Sequence, residues 1–287
     1  MLHKAAHMPS NASPGRGSPL SPGGCGFSTL HGWEVRAHAA IDSTNLEGRR
    51  LLASGFAGKA VIVAESQTMG QCRRDRLWES EKGRGMWASF ILPVTVPFSA
   101  LAQSTLVLAV AVREAVKDAT GVELAAKWPN DLLGNGKKCC GLLVESGEID
   151  PEAATHSLIL GVGVNILHTE ADFPGYLRET ATSLSLLAAG EVFSRDAVLA
   201  AVARGIETWF ATWEKQGFSP VRAAWLDANC TIGNRIILPE GYGYSYATAH
   251  DLDESGALIA LADDSTALLV DSGEIRFTNA TLFPSNV

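Results

Sequence analysis

From about residue 33 the chain alternates short apolar runs with longer amphipathic ones, the pattern of strands interleaved with helices. Residues 60–64 form an apolar strand, and 86–96 and 157–166 predict two more. Gly161 and Gly163 interrupt the last of these, and glycine inside a strand marks a bulge or a close approach. Residues 99–119 predict a long apolar helix, with Ser99 as its cap and Gly121 as its stop. Residues 194–215 carry Val198, Ala201, Val202, Gly205, Trp209 and Trp213 at helical spacing, a core-facing stripe. Residues 221–228 predict a second, short helix. From Ile232 the period shortens. Segments 235–238, 244–250, 257–262 and 267–270 read as short strands separated by turn residues, as in a small β-barrel. The boundary between the regions falls near residue 230, giving a main domain over 31–230 and a small one over 231–287.

One stretch concentrates polar chemistry beside an apolar strand. Residues 122–128 alternate as a strand, and Pro129 pushes Trp128 toward an extended conformation. Asn135-Gly136 is a tight-turn signal, and Leu142, Leu143 and Val144 read as a strand buried on both faces. The hairpin places Asn130 and Asp131 where the first strand breaks and returns Lys138 alongside them. Cations on rigid strands suit an anionic ligand. Lysines in water are the plainer alternative.

Two segments before it add candidates. Asp42, Ser43 or Thr44 can cap a helix, with Glu47 near the capping-box position; alternatively Ser43, Thr44 and Asn45 face a ligand there. After the strand at 60–64, Arg73, Arg74 and Arg76 fall within four residues, a loop able to fold over phosphates, with Trp78 as an aromatic anchor.

Composition narrows the function classes. The net charge of −8 argues against a general nucleic-acid binder, and no helix-turn-helix pattern precedes the main domain. Five cysteines without a Cys-x-x-Cys pair argue against a disulfide scaffold or zinc knuckle and favour a reducing compartment. The expected location is therefore cytoplasmic. Residues 1–30 contain no acidic residue and are rich in Ser, Pro and Gly, so they are expected to be disordered, with a mitochondrial transit peptide as the alternative. No apolar run reaches about 18 residues, so no membrane span is expected.

Together these motifs resemble the biotin protein ligases, in the monofunctional form without a DNA-binding domain, over residues 40–277. Ser43-Thr44-Asn45 resembles the biotin-pocket triplet. Gln67, Gly70 and Trp78 match the ends of the family's glycine- and arginine-rich loop. Lys127-Trp128-Pro129-Asn130-Asp131 reproduces its most specific motif, Gly161-x-Gly163-x-Asn165 its glycine strand, and Gly273-Glu274-Ile275-Arg276 part of its C-terminal domain. The resemblance implies an α+β fold: a central mixed sheet with flanking helices, like the class II synthetases and lipoate ligases, plus an SH3-like C-terminal barrel. It implies ligation of biotin, through biotinyl-AMP made from ATP, to a lysine on a carboxylase's carrier domain. Lys138 and Arg73 are the implied catalytic residues. Ser43, Thr44, Asn45, Gln67, Gln71, Cys72, Arg73 and Lys138 would bind biotin. Arg73, Arg74, Arg76, Trp78, Lys127, Asn130 and Asp131 would bind ATP, with Asp131 as a Mg²⁺ ligand. A lipoate or octanoyl ligase, and a degenerate relative with weak transfer, are the alternatives. An exposed strand edge would allow pairing with the acceptor or with another copy. One departure stands out: Cys72 and Asp75 occupy positions where the family loop carries glycine, and glycine alone adopts positive φ freely.

Overall fold

The structure is a computed structural model of the 287-residue chain and describes residues 28–73, 76–147 and 153–278. Eight strands build the main sheet: β1 (Ser28–Leu30), β2 (Trp33–His38), β3 (Ala60–Ala64), β4 (Gly85–Val94), β5 (Ala125–Lys127), β6 (Asp131–Gly134), β7 (Lys137–Ser146) and β8 (His156–Asn165). Their order is β1-β2-β3-β4-β8-β7-β6-β5. Only β2 and β3 run parallel, so the sheet is mixed. The expected disorder over 1–30 is corrected at its end, because residues 28–30 pair with 33–35 around a turn at His31-Gly32. Residues 1–27 lie outside the described residues.

The two faces of the sheet are covered unequally. On one face, Val61, Val63 and Phe90 pack into the core with α2 (Ser104–Thr120) and α4 (Arg195–Gln216). The expected helix start at Ser99 is corrected: residues Phe98–Gln103 form a 3-10 segment and the α-helix begins at Ser104. Gly121 ends it at φ 71°, as the sequence implied. Segment Phe98–Thr120 is long and apolar enough to cross a membrane by composition, but much of its surface lies in this core. On the other face Ala60, Ile62 and Ile91 pack against α1 (Thr44–Ala53) and Phe56 just beyond it. Ten helical residues span only about 15 Å. The part of that face beyond the start of α1, between β4, β8 and β7, is left open, and the cleft described below forms there.

The strand expected over 122–128 is shorter, covering only residues 125–127; a turn with a cis Trp128–Pro129 bond follows. Asn135 (φ 48°) and Gly136 (φ 77°) are both left-handed, as a two-residue primed turn requires. Leu142 is buried, but Leu143 and Val144 are only partly so, which corrects the fully buried reading. The reason is that β6 stops pairing at Asp131↔Gly141 while β7 runs on to Ser146. α3 (Leu184–Leu187) and α5 (Ser219–Asp227) complete the helices. A second, five-stranded antiparallel sheet follows: β9 (Arg235–Ile237), β10 (Tyr246–Leu252), β11 (Leu258–Leu261), β12 (Ala267–Val270) and β13 (Arg276–Phe277), in order β12-β11-β10-β9-β13.

Candidate active site

The cleft on the open face holds about 690 Å³ of space, including the open solvent at its mouth. Its floor is made by absent side chains. Gly141 on β7 lies directly opposite Gly163 on β8, and Leu143 opposite Gly161. A Cβ at Gly141 or Gly163 would lie 2.4 or 2.8 Å from the Trp78 ring, and one at Gly161 would lie 2.3 Å from Asn45 Oδ1. An indole and an amide therefore occupy the space that side chains at these three positions would fill. Trp78 also meets Trp87 edge to face, with centroids 6.0 Å apart.

Lys138 reaches this cleft through a β-bulge. Leu132 pairs with Cys140 and Leu133 with Lys138, so Cys139 is the extra residue. The bulge reverses the alternation and puts Lys138 on the same face as Gly141. Lys138 Nζ lies 2.6 Å from Asp131 Oδ1 and 5.3 Å over the Trp78 ring. Lys127 Nζ is 3.9 Å from the other Asp131 oxygen and sits over the Phe277 ring, and it does not line the cleft. Two lysines and one aspartate leave a formal excess of one positive charge. Asn130 lines the cleft while its amide donates to Leu142 O at 2.6 Å.

At the other end, Ser43, Thr44, Asn45 and Gln67 all line the cleft, but not with equal freedom. Thr44 donates from both N (2.8 Å) and Oγ1 (3.1 Å) to Gln67 Oε1. Ser89 Oγ lies 2.8 Å from Thr44 Oγ1 and 2.5 Å from Asn45 Oδ1, and Asn45 Nδ2 donates to Glu145 Oε2 at 2.8 Å. Glu145 is in turn ion-paired with Arg49. The polar atoms of Thr44 and Asn45 are thus engaged within the protein. The capping reading is corrected as well: Ser43 occupies the N-cap with extended backbone, yet its hydroxyl makes no cap bond, and Glu47 pairs with Arg50. Ser43 Oγ and the second N–H of Gln67 Nε2, whose first goes to Ser80 Oγ at 3.0 Å, remain available to a ligand.

The arginine loop closes the cleft from above. Trp78 N donates to Gly70 O and Cys72 N to Arg76 O, with a bridge between Gln71 and Leu77. Gly70 is required at the neck, since a Cβ there would lie 2.8 Å from Trp78 O. Cys72 has an ordinary negative φ, so this position does not demand glycine. Burial pushes the Cys72 thiol up, against the pull of Lys138 and Arg76, so it stays protonated at neutral pH. Gln71, Cys72, Arg73 and Arg76 line the cleft, and Arg76 pairs with Glu274 of the C-terminal region at 2.9 Å. Arg74 and Asp75 lie outside the described residues.

Several contributors went unread in the sequence. Ser89 carried a signal, as a polar residue in an otherwise apolar strand. Glu145 and Trp87 carried none, because their roles depend on which strands become neighbours, and Glu274 was seen only as part of the C-terminal motif. Among the described residues no group of three or more His, Cys, Asp or Glu is placed to hold a metal. Asp131 lines the cleft with its carboxylate paired to Lys138 at 2.6 Å.

Comparison with known proteins agrees with this geometry. The model of the biotin/lipoate A/B protein ligase family matches residues 39–165. The chain is 34% identical over 243 residues to the biotin--[acetyl-CoA-carboxylase] ligase of Paracoccus denitrificans, covering 83% of this chain and 98% of the relative. It is 34% identical over 222 residues to the bifunctional ligase/repressor BirA of Bacillus subtilis, covering 77% of this chain and 67% of that protein. Among solved structures, a biotin protein ligase from Aquifex aeolicus in complex with biotin and ATP superposes with a TM-score of 0.72 at 26% identity, over 85% of this chain and 99% of that one.

Proposed function

The chain belongs to the biotin/lipoate A/B protein ligase family, and from that footing we propose that it ligates biotin to a lysine of a carboxylase carrier domain through biotinyl-AMP made from ATP. The observation that carries the reading is the bulged Lys138. It stands over a glycine floor, between a hydrogen-bonding end at Ser43 and Gln67 and an arginine loop at 70–78.

The geometry supports the following division of work. The bicyclic end of biotin lies against the Trp78 indole that the glycines seat, with Ser43 Oγ and Gln67 Nε2 meeting its ureido group. Its carboxylate then points toward Lys138. A carboxylate oxygen attacks the α-phosphorus of ATP; the acyl–O–P bond forms, the P–O bond to the β-phosphate breaks, and pyrophosphate leaves with the electron pair. Two anions are brought together, so fixed cations lower the barrier. Lys138 and Arg73 are assigned that role, and Asp131 keeps the Lys138 ammonium in place. Arg74, Arg76, Asn130 and Lys127 are assigned to the nucleotide and its surroundings. Mg²⁺ would be carried in on the nucleotide's phosphates and would neutralise their charge. The protonated Cys72 thiol does not compete for the reactive acyl group. The C-terminal sheet is read as an SH3-like barrel on its strand number and the family resemblance, with the domain boundary near residue 230.

The test is transfer of labelled biotin to a purified carrier domain with MgATP, with unlabelled lipoate as competitor. Transfer is expected and lipoate is expected not to compete. Lys138→Ala should lower adenylate formation by about 100-fold or more, the usual cost of a lost charge-stabilising donor. Absence of both adenylate and transfer in the unaltered protein would refute the reading.

A further inference from the structure

The cleft does not end at Lys138. Where β6 stops pairing, β7 continues with β8 on its other side only, and a second cleft lies along the edge this leaves. Arg73, Asn130, Leu142 and Leu143 line both clefts. The second is walled by Leu106 and Trp128, with Ala102 and Asp271 exposed at its rim. Asp271 accepts a hydrogen bond from Tyr242 Oη at 2.8 Å. Beyond Ala102, Thr105 and Val144 it opens into an apolar groove flanked by Phe98 and Leu158.

The two-step reaction poses a geometric requirement. After the first step, biotinyl-AMP occupies the first cleft under the 70–78 loop. The second nucleophile must still reach the acyl carbon, beside Lys138 and Arg73. A lysine side chain is an aliphatic stem ending in an ammonium, and it suits a passage with apolar walls and an acidic rim.

We propose that the second cleft is the entry channel for the acceptor lysine, with the aliphatic stem against Leu106 and Leu143 and Asp271 drawing the ammonium to the rim. This rests on the ligase reading. At the junction the amine, having lost one proton to solvent, attacks the acyl carbon. The C–N bond forms, the acyl C–O bond to phosphate breaks, AMP leaves with the electron pair, and the nitrogen gives its second proton to solvent to leave the amide. The released AMP has only the first cleft to vacate, so the two substrates do not cross.

The half-reactions separate the channel from the adenylation site. Biotin-dependent exchange of pyrophosphate into ATP reports the first, and transfer to the carrier domain reports the second. Both are to be measured on the full chain for Ala102→Trp, which plugs the rim, and Asp271→Lys, which reverses its charge. Both positions are exposed, so the fold is expected to persist. Exchange should stay within about twofold of wild type while kcat/KM for the carrier falls about tenfold or more for Ala102→Trp and severalfold for Asp271→Lys. The inference is overturned if carrier kinetics are unchanged in both variants, or if exchange falls in step with transfer, which would make this cleft part of the nucleotide site. A wild-type chain with no exchange at all would instead refute the ligase reading.

Discussion

Two elements bring cations to the cleft, and they are held in opposite ways. The hairpin from β5 through β7 is tied on every side. Its turn residues are both left-handed, its strands pair with each other and with β8, and Trp128 is 3% exposed. Trp128 N donates to Thr231 Oγ1 and its Nε1 to Gly256 O, joining the hairpin to the C-terminal region. Among its described residues the loop at 70–78 is held by the bonds Trp78 N to Gly70 O and Cys72 N to Arg76 O, and Arg76 makes a partly exposed ion pair with Glu274. The hairpin sets one charge position by packing, and the loop supplies charges through contacts worth little in water. Changes in the hairpin should therefore register as stability and changes in the loop as kinetics.

The largest effect is expected for Trp128→Ala, which removes a buried indole and its Nε1 tie to Gly256 O while leaving the backbone tie to Thr231, at a cost of about 3–5 kcal/mol in urea unfolding. A loss under 1 kcal/mol would break the contrast.

Next comes the support behind Trp78. His168 stacks on Phe173 at 4.9 Å and meets Trp87 edge to face. Burial pushes its imidazole down to about 4. Between pH 6.5 and 4 the unfolded chain takes up this proton and the folded chain does not. Stability should therefore fall as pH drops through that window, by up to ~3 kcal/mol. His168→Phe keeps the stack, removes the proton, and should flatten that part of the profile in pH-dependent melting.

Ser89→Ala deletes the hydroxyl between Thr44 and Asn45. A cost of about 1–3 kcal/mol is expected for the polar groups left behind. Because the network shapes the ureido end, KM for biotin should rise severalfold with KM for ATP unchanged; equal rises would mean general loosening.

The smallest effect on stability belongs to Arg76→Ala, at under about 1 kcal/mol. Its signature should be kinetic, a raised KM for ATP that depends on salt. A stability loss as large as that of Trp128→Ala would erase the distinction between hairpin and loop.

The fold and the cleft were legible in unequal measure. Strands and helices with long apolar periods were placed within a few residues, because a side chain's neighbours one and two turns away already determine burial. The glycines at 161 and 163 were read as points of close approach, and Asn45 and Trp78 are what approaches. The errors fell where local sequence is indifferent. Ser99 caps a helix as well as Ser104 begins one, and Ser43 has capping chemistry that goes unused. Thr44 and Asn45, read as ligand contacts, do line the cleft, but their polar atoms are already bonded to Gln67, Ser89 and Glu145, which come from elements far away in sequence.

By itself the sequence determined the residue types of the cleft: the lysines, the arginines, the glycines and the primed turn that brings the hairpin back. Those follow from chemistry and backbone preference that act over a few residues. Which lysine faces the cleft was decided only in three dimensions. Regular alternation would put Lys137 on the face of Gly141; Lys137 instead donates to Arg178 O, and the bulge at Cys139 turns Lys138 inward. Side-chain alternation has a period of two, so one extra residue, accommodated by pairing with β6, exchanges the faces. The short α1 leaves that face uncovered, and the end of β6 opens its edge. These are properties of how elements meet, and no single segment carries them.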